Sequence, residues 1–227
     1  MRLLSISILL LTYCWCFSCA QDQPSQSAVG ETATASTTTL APPTEPTTTL
    51  LDQYFPSEVT ATVLALKTAF DEELRKGYND RSIAYVYEQH ALRMKLDFLN
   101  NEPFQHILPY NGKYRLSSYS EEIAALPFMT KKCGFQKEET KEIVNYWCFN
   151  TNEAFFEYLA RLGAQTALIE RFRSDYLEYK TITQDIRQEM LLTEEETFDF
   201  NNLDQQIFYF LFHATVNEEY WAMKEVQ

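Results

Sequence analysis

The chain has 227 residues, of which 19 are Lys or Arg and 32 are Asp or Glu, for a formal charge of −13. Apolar residues make up 45% and aromatic residues 15%, enough for a core, with only 5 Gly and 8 Pro; collagenous, glycine-rich and wholly disordered chains are excluded. The acidic excess is interrupted by no stripe of Lys and Arg and would repel phosphate backbones and anionic membrane surfaces, which argues against nucleic-acid binding.

Arg2 forms a one-residue positive region, residues 3–11 are apolar, and Ser18 and Ala20 place small residues at the −3 and −1 positions of a cleavage point before Gln21. This pattern predicts a secretory signal peptide over 1–20. The competing reading is an uncleaved signal anchor, since residues 13–17 extend the apolar run, but that run stays shorter than a comfortable spanning helix. Under either reading the rest of the chain faces an extracellular or lumenal space, so the expected localisation is secreted. No later stretch is apolar enough to span a bilayer in the mature chain, and Lys224, Glu225 and Gln227 stand where a GPI signal would need a hydrophobic tail.

Residues 21–52 change composition. Thr37, Thr38, Thr39 and Thr47, Thr48, Thr49 bracket Pro42, Pro43 and Pro46, and aromatic residues are absent. Such a segment cannot offset its conformational entropy by burial, so it is read as a disordered Thr/Pro-rich stalk of the kind that carries O-linked sugars. No Asn-x-Ser/Thr sequon is present anywhere in the chain.

A helical domain is expected over 53–227. Ser57 precedes Val59, Val63, Leu66, Phe70 and Leu74 at helical spacing, with Gly77 placed to end the helix. Asn79 and Asp80 can cap a second helix in which Ile83, Tyr87, His90, Met94 and Phe98 share a face. Leu92, Leu96 and Leu99 add a second strip, which predicts burial on two sides. Pro103, Pro109 and the Asn111-Gly112 pair break the segment that follows. Ser118 and Glu121 have capping-box spacing for a short helix ended by Pro127.

Residues 138–149 read as another helix, with Ile143, Tyr146 and Trp147 apolar. Of the five cysteines, Cys14, Cys16 and Cys19 fall in the predicted signal, which leaves Cys133 and Cys148 as a disulfide pair pinning this helix to the preceding loop. The alternatives are a metal pair or a catalytic thiol, but the spacing matches no zinc pattern. The loop closed by the bond, about sixteen residues, would contribute on the order of 3 kcal/mol.

Asn150 to Glu153 can cap the longest helix, along which Phe155, Leu159, Leu162, Thr166, Ile169, Phe172 and Tyr176 follow helical spacing, with Gly163 in its interior. Thr193 and Glu196 form a further capping box, and the last helix, over 202–226, is nearly apolar all round between Ile207 and Phe212. No alternating run bounded by hairpin turns stands out, so no sheet is expected. The fold class is all-α: an irregular antiparallel helical bundle of about four longer helices plus short ones, with one disulfide.

Catalytic chemistry is hard to assemble. His90, His106 and His213 sit in no enzyme motif, and no nucleophile elbow, phosphate loop or metal-binding His pattern occurs. Glu102 and His106 are spaced i,i+4 but adjoin Pro103 and read as a solvent-facing pair, while His90 and His213 read as hydrogen-bonded core residues. Asp199, Asn201, Asp204 and the nearby glutamates invite a calcium site, but Asp204 stands where an EF-hand loop starting at Asp199 needs Gly. Lys131-Lys132 reads as a solvated pair rather than a processing site. Neither a metal nor a cofactor is expected.

Two functional classes remain. The first is a secreted non-enzymatic helical binding protein that acts through an extracellular protein partner. The second is an extracellular carrier holding a small hydrophobic ligand in a cavity lined by Tyr87, Phe98, Phe155 and Phe210.

Overall fold

The computed structural model describes residues 48–78, 81–99, 114–192 and 197–226. The chain divides into two units, Met1–Ser36 and Thr37–Gln227, and all described residues belong to the second. The segment read as a signal peptide, nearly all of the Thr/Pro-rich span, Glu102, His106 and the box at 193–196 lie outside the described residues, as does the side chain of Phe98.

A 3-10 turn at Leu50–Gln53 precedes α1 (Ser57–Arg75). Leu51, from the end of the Thr/Pro-rich span, is fully buried, and the backbone N–H of Leu50 donates to both carboxylate oxygens of Asp204 at 3.0 Å. The expected apolar face of α1 is realised: Val63, Leu66, Phe70 and Leu74 are buried, and the Gly77 N–H closes the last turn on the Leu74 carbonyl at 2.9 Å. In α2 (Ile83–Leu99), Val86, Tyr87, His90, Ala91 and Met94 are buried, but Leu96 and Leu99 are exposed, so the second strip expected from the spacing is not buried. A 3-10 turn at Leu116–Tyr119 runs directly into α3 (Ser120–Ala124), which moves the start of the short helix two residues past Ser118.

The expectation that no sheet is present is corrected at the next segment. Met129–Gln136 and Ile143–Phe149 form strands β1 and β2 of an antiparallel hairpin, where a helix over 138–149 had been expected. Ile143, Val144, Tyr146, Trp147 and Phe149 are β-branched or aromatic, the types that fit a pleated surface. Their 3-4 spacing also satisfies a helix template, because a short apolar run carries both periods. A turn closes the hairpin, with Lys137 N–H donating to the Glu142 carbonyl at 2.8 Å and Lys141 in the left-handed region at φ 61°. The Cys133–Cys148 disulfide is present, and it joins the two strands rather than a helix and a loop.

The expected longest helix is divided into α4 (Glu153–Gly163) and α5 (Ala167–Tyr179). Asn152 caps α4, its side-chain oxygen accepting from Phe155 N–H at 3.0 Å. The break follows from Gly163: a Cβ there would meet the backbone nitrogen and Cβ of Glu170 at 2.9 Å. Gly163 therefore marks the point where the start of α5 folds back against the end of α4, and Thr166 opens the new helix in an extended conformation. After α6 (Gln184–Leu192), the chain ends in α7 (Leu203–Val226), opened by Asn202, whose side chain accepts from Asp204 N–H at 3.0 Å.

Every residue of α7 from Gln205 to Glu218 is buried, which explains its all-round apolar composition. It packs against α1, β1 and β2. Glu218, in its buried stretch, accepts from Arg115 at 3.2 Å and from Ser117 N–H at 3.3 Å, while Asn217 donates to the Tyr114 carbonyl at 2.7 Å. The structure is mostly helical with a small two-stranded sheet and one disulfide. Among the described residues no helix is long and apolar enough to cross a membrane.

Candidate interaction groove

Pairing along the hairpin decides which side chains reach its inner face. Met129 opposes Phe149 and Thr130 opposes Cys148, but beyond a bulge Cys133 opposes Tyr146 and Phe135 opposes Val144. The bulge places Lys131 and Lys132 together across from Trp147, and both lysines are exposed. Because strand side chains alternate faces, the extra residue turns Cys133 and Phe135 onto the face that carries Tyr146 and Cys148. Cys133, Phe135, Val144, Tyr146 and Cys148 pack there against Ala222 of α7, and Phe135 stacks on Tyr146 with ring centroids 5.3 Å apart.

From this face Phe135 forms one wall of a groove of about 330 Å³. Val216, Tyr220 and Met223 of α7 supply its floor, and Ile182, just before α6, supplies the far wall. Arg187 of α6 donates to Glu219 of α7 and to the Ile182 carbonyl at 3.3 Å, so the two charges on the groove are already paired with each other. Burial, together with the Glu219 carboxylate, pushes the Tyr146 phenol up to about 12. The phenol therefore stays protonated at physiological pH and offers no base. The groove presents apolar surface with a neutralised polar rim. A wider, polar depression of about 730 Å³ adjoins the hairpin turn, lined in part by Glu138, Glu139, Lys137 and Glu225.

A second cluster of functional groups lies inside the domain. Lys67 donates to Asp71 at 2.6 Å within α1, and the Tyr87 hydroxyl donates to the other carboxylate oxygen at 2.7 Å. Burial drives the Lys67 ammonium down and the Asp71 carboxyl up, while their mutual attraction opposes both shifts. Tyr87 packs on Tyr209, whose hydroxyl shares a 2.7 Å hydrogen bond with His90 Nδ1, and the His213 ring lies 4.1 Å from that of Tyr209. Burial, reinforced by His90, holds His213 far below its ordinary pKa, so the imidazole is neutral. Lys67, Tyr87, His90, Tyr209 and His213 are buried, and Asp71 is partly exposed.

The aromatic residues expected to line a ligand cavity are placed separately. Tyr87 and Phe210 each pack on Phe70, whereas Phe155 stacks on Phe128 at 4.3 Å in a different part of the core. All three are fully buried. The described grooves and depressions are lined by other residues. His90 and His213 are core residues, and the carboxylates of Asp204 and Asp199 accept backbone N–H groups of Leu50 and Asn201.

The groove itself was not singled out from the sequence. On α7 a signal existed, since Val216, Glu219, Tyr220 and Met223 share one face at 3-4 spacing. Phe135 could not be placed there without knowing that its segment is a strand with a bulge upstream.

No protein-family model, curated protein or solved structure matches the chain. The fold and the groove define its class by geometry alone: a mostly helical domain carrying one disulfide-linked hairpin, with a shallow apolar groove between hairpin and helices.

Proposed function

We propose that this chain is an exported, non-enzymatic binding protein whose groove receives an apolar side chain of an extracellular protein partner, flanked in that partner by basic residues. The observation that carries the reading is the groove: about 330 Å³, walled by Phe135, Ile182, Val216, Tyr220 and Met223, with its only charged pair internally matched. A volume of that size suits one or two side chains, and an aromatic or branched anchor buried in such a pocket supplies much of the energy of a typical interface. The neighbouring Glu138, Glu139 and Glu225, on a chain of charge −13, favour a basic surround for the anchor. Export is supported by the disulfide, because such bonds persist in oxidising compartments.

The test is selection of peptides from a random library on the immobilised, oxidised protein. Recovered sequences should carry an aromatic or branched apolar residue beside Lys or Arg and should bind Met223→Arg and Tyr220→Ala at least about tenfold more weakly. Peptides indifferent to both substitutions would overturn the reading. A stoichiometric lipid in a solvent extract of the secreted protein would favour the carrier instead.

A further inference from the structure

We propose that the Cys133–Cys148 bond is a register lock for the groove: it holds β1 in the bulged pairing that turns Phe135 inward, and its reduction releases a regular pairing in which that wall is lost. The inference concerns regulation of the site assigned above and rests on that assignment for its biological meaning, though the lock itself can be read without any partner.

Side chains alternate between the two faces along a strand. The base of the hairpin is held by the core. Phe128 stacks on Phe155, Asn150 N–H donates to the Phe128 carbonyl at 2.9 Å, and the Asn150 side chain donates to the carbonyls of Pro127 at 2.8 Å and Met129 at 3.3 Å. The pairs Met129–Phe149 and Thr130–Cys148 are therefore anchored. If β1 continued from them without a bulge, Lys131 would face Trp147, Lys132 would face Tyr146, Cys133 would face Asn145 and Phe135 would face Ile143. From Lys132 on, every side chain would change sides. Phe135 would leave the groove and join Ile143, which is exposed, and Lys132 would take the place of Cys133.

The covalent bond forbids this alternative, because it would set Cys133 and Cys148 on opposite faces. The bulged register leaves one bulge residue outside the ladder. The regular register forfeits the stack of Phe135 on Tyr146. Gly134 belongs to the bulged pairing as well, since a Cβ there would meet Ile143 and Asn145 within 2.9 Å.

The switching step balances with a dithiol reductant. The S–S bond breaks, each sulfur takes up one electron and one proton to become a thiol, and the two thiols of the reductant close into their own disulfide.

The test uses the full chain in three forms: wild type, Cys133→Ser with Cys148→Ser, and wild type lacking Lys132. Cross-strand proton contacts measured by NMR report whether Phe135 lies beside Val144 or beside Ile143, with and without a dithiol reductant. The oxidised wild type should show only Phe135 beside Val144. The reduced wild type and the double serine variant should show Phe135 beside Ile143 in a population above about 1%. Deleting Lys132 removes the extra residue, so regular pairing then points Phe135 inward, and this protein should keep Phe135 beside Val144 even when reduced. A reduced wild type that retains the bulged register alone, a tip that loses pairing altogether, or a Lys132 deletion that responds to reduction as wild type does would each overturn the proposal. None of these outcomes depends on whether a partner binds the groove.

Discussion

The imidazole of His213 lies edge-on to that of His90, with centroids 5.2 Å apart, and no hydrogen bond reaches its Nε2 among the described residues. A neutral ring tolerates this position, whereas a cation would be buried next to a second basic ring. An unfolded chain protonates such a histidine near pH ~6.5, but the folded chain resists, so the unfolded state binds more protons below that value. The stability linked to His213 is therefore complete above about pH 6.5 and declines as pH falls towards its depressed folded value. The raised carboxyls of Asp71 and Asp204 act with the opposite sign at more acidic pH. Between pH 7.5 and 5.5 the unfolding free energy read from urea titrations should fall, by up to about 1.4 kcal/mol per pH unit below 6.5, and His213→Leu should flatten the slope. An unchanged slope in His213→Leu would place the dependence elsewhere.

The Lys67–Asp71 pair gains its geometry at the cost of desolvation. Removing one partner strands the other, so Asp71→Leu should cost about 3–5 kcal/mol. Lys67→Met combined with Asp71→Leu should cost much less than the sum of the two single changes. Tyr87→Phe, which leaves an Asp71 oxygen without its donor, should cost about 1–3 kcal/mol. A double-mutant cycle by chemical denaturation checks all three, and strict additivity would show that the pair acts as two independent groups.

Gly163→Ala separates a helix-interior glycine from one required by close approach. In a regular helix the change would gain about 1 kcal/mol. Here the new methyl meets backbone of α5, which has to shift, so a net loss of about 1–3 kcal/mol is expected, read as a lowered melting temperature. A gain would mean that the corner between α4 and α5 relaxes freely.

Phe155 is packed as a core residue against Phe128, Phe149, Phe156 and Tyr158. Phe155→Ala should cost about 3–5 kcal/mol through lost burial and an unfilled cavity. A residue lining an empty ligand cavity would make far fewer such contacts, and a cost below about 1 kcal/mol would favour the carrier reading.

Local pattern alone carried α1 and the central helix α7, whereas the cap expected over 150–153 falls on Asn152. For both helices the run is long enough for the helical period to be distinguished from the strand period. The disulfide pairing was equally accessible, because only Cys133 and Cys148 remain once the predicted signal is set aside. Residues 129–149 failed the same reading: a seven-residue run with six apolar or aromatic positions fits both periods, and pairing with the preceding strand leaves no mark on local spacing. The break at Gly163 was hidden for a related reason, since what excludes a side chain there is Glu170 brought back by the fold.

The groove lies furthest from the sequence. Its floor is a helix face that composition exposes, but its wall depends on a single bulge residue that reverses the direction of every side chain after it. Composition and helical period thus determined which segments are buried and which cysteines can meet. Only the tertiary structure decided which face Phe135 occupies, because strand register is set by non-local pairing and a shift of one residue exchanges inside for outside.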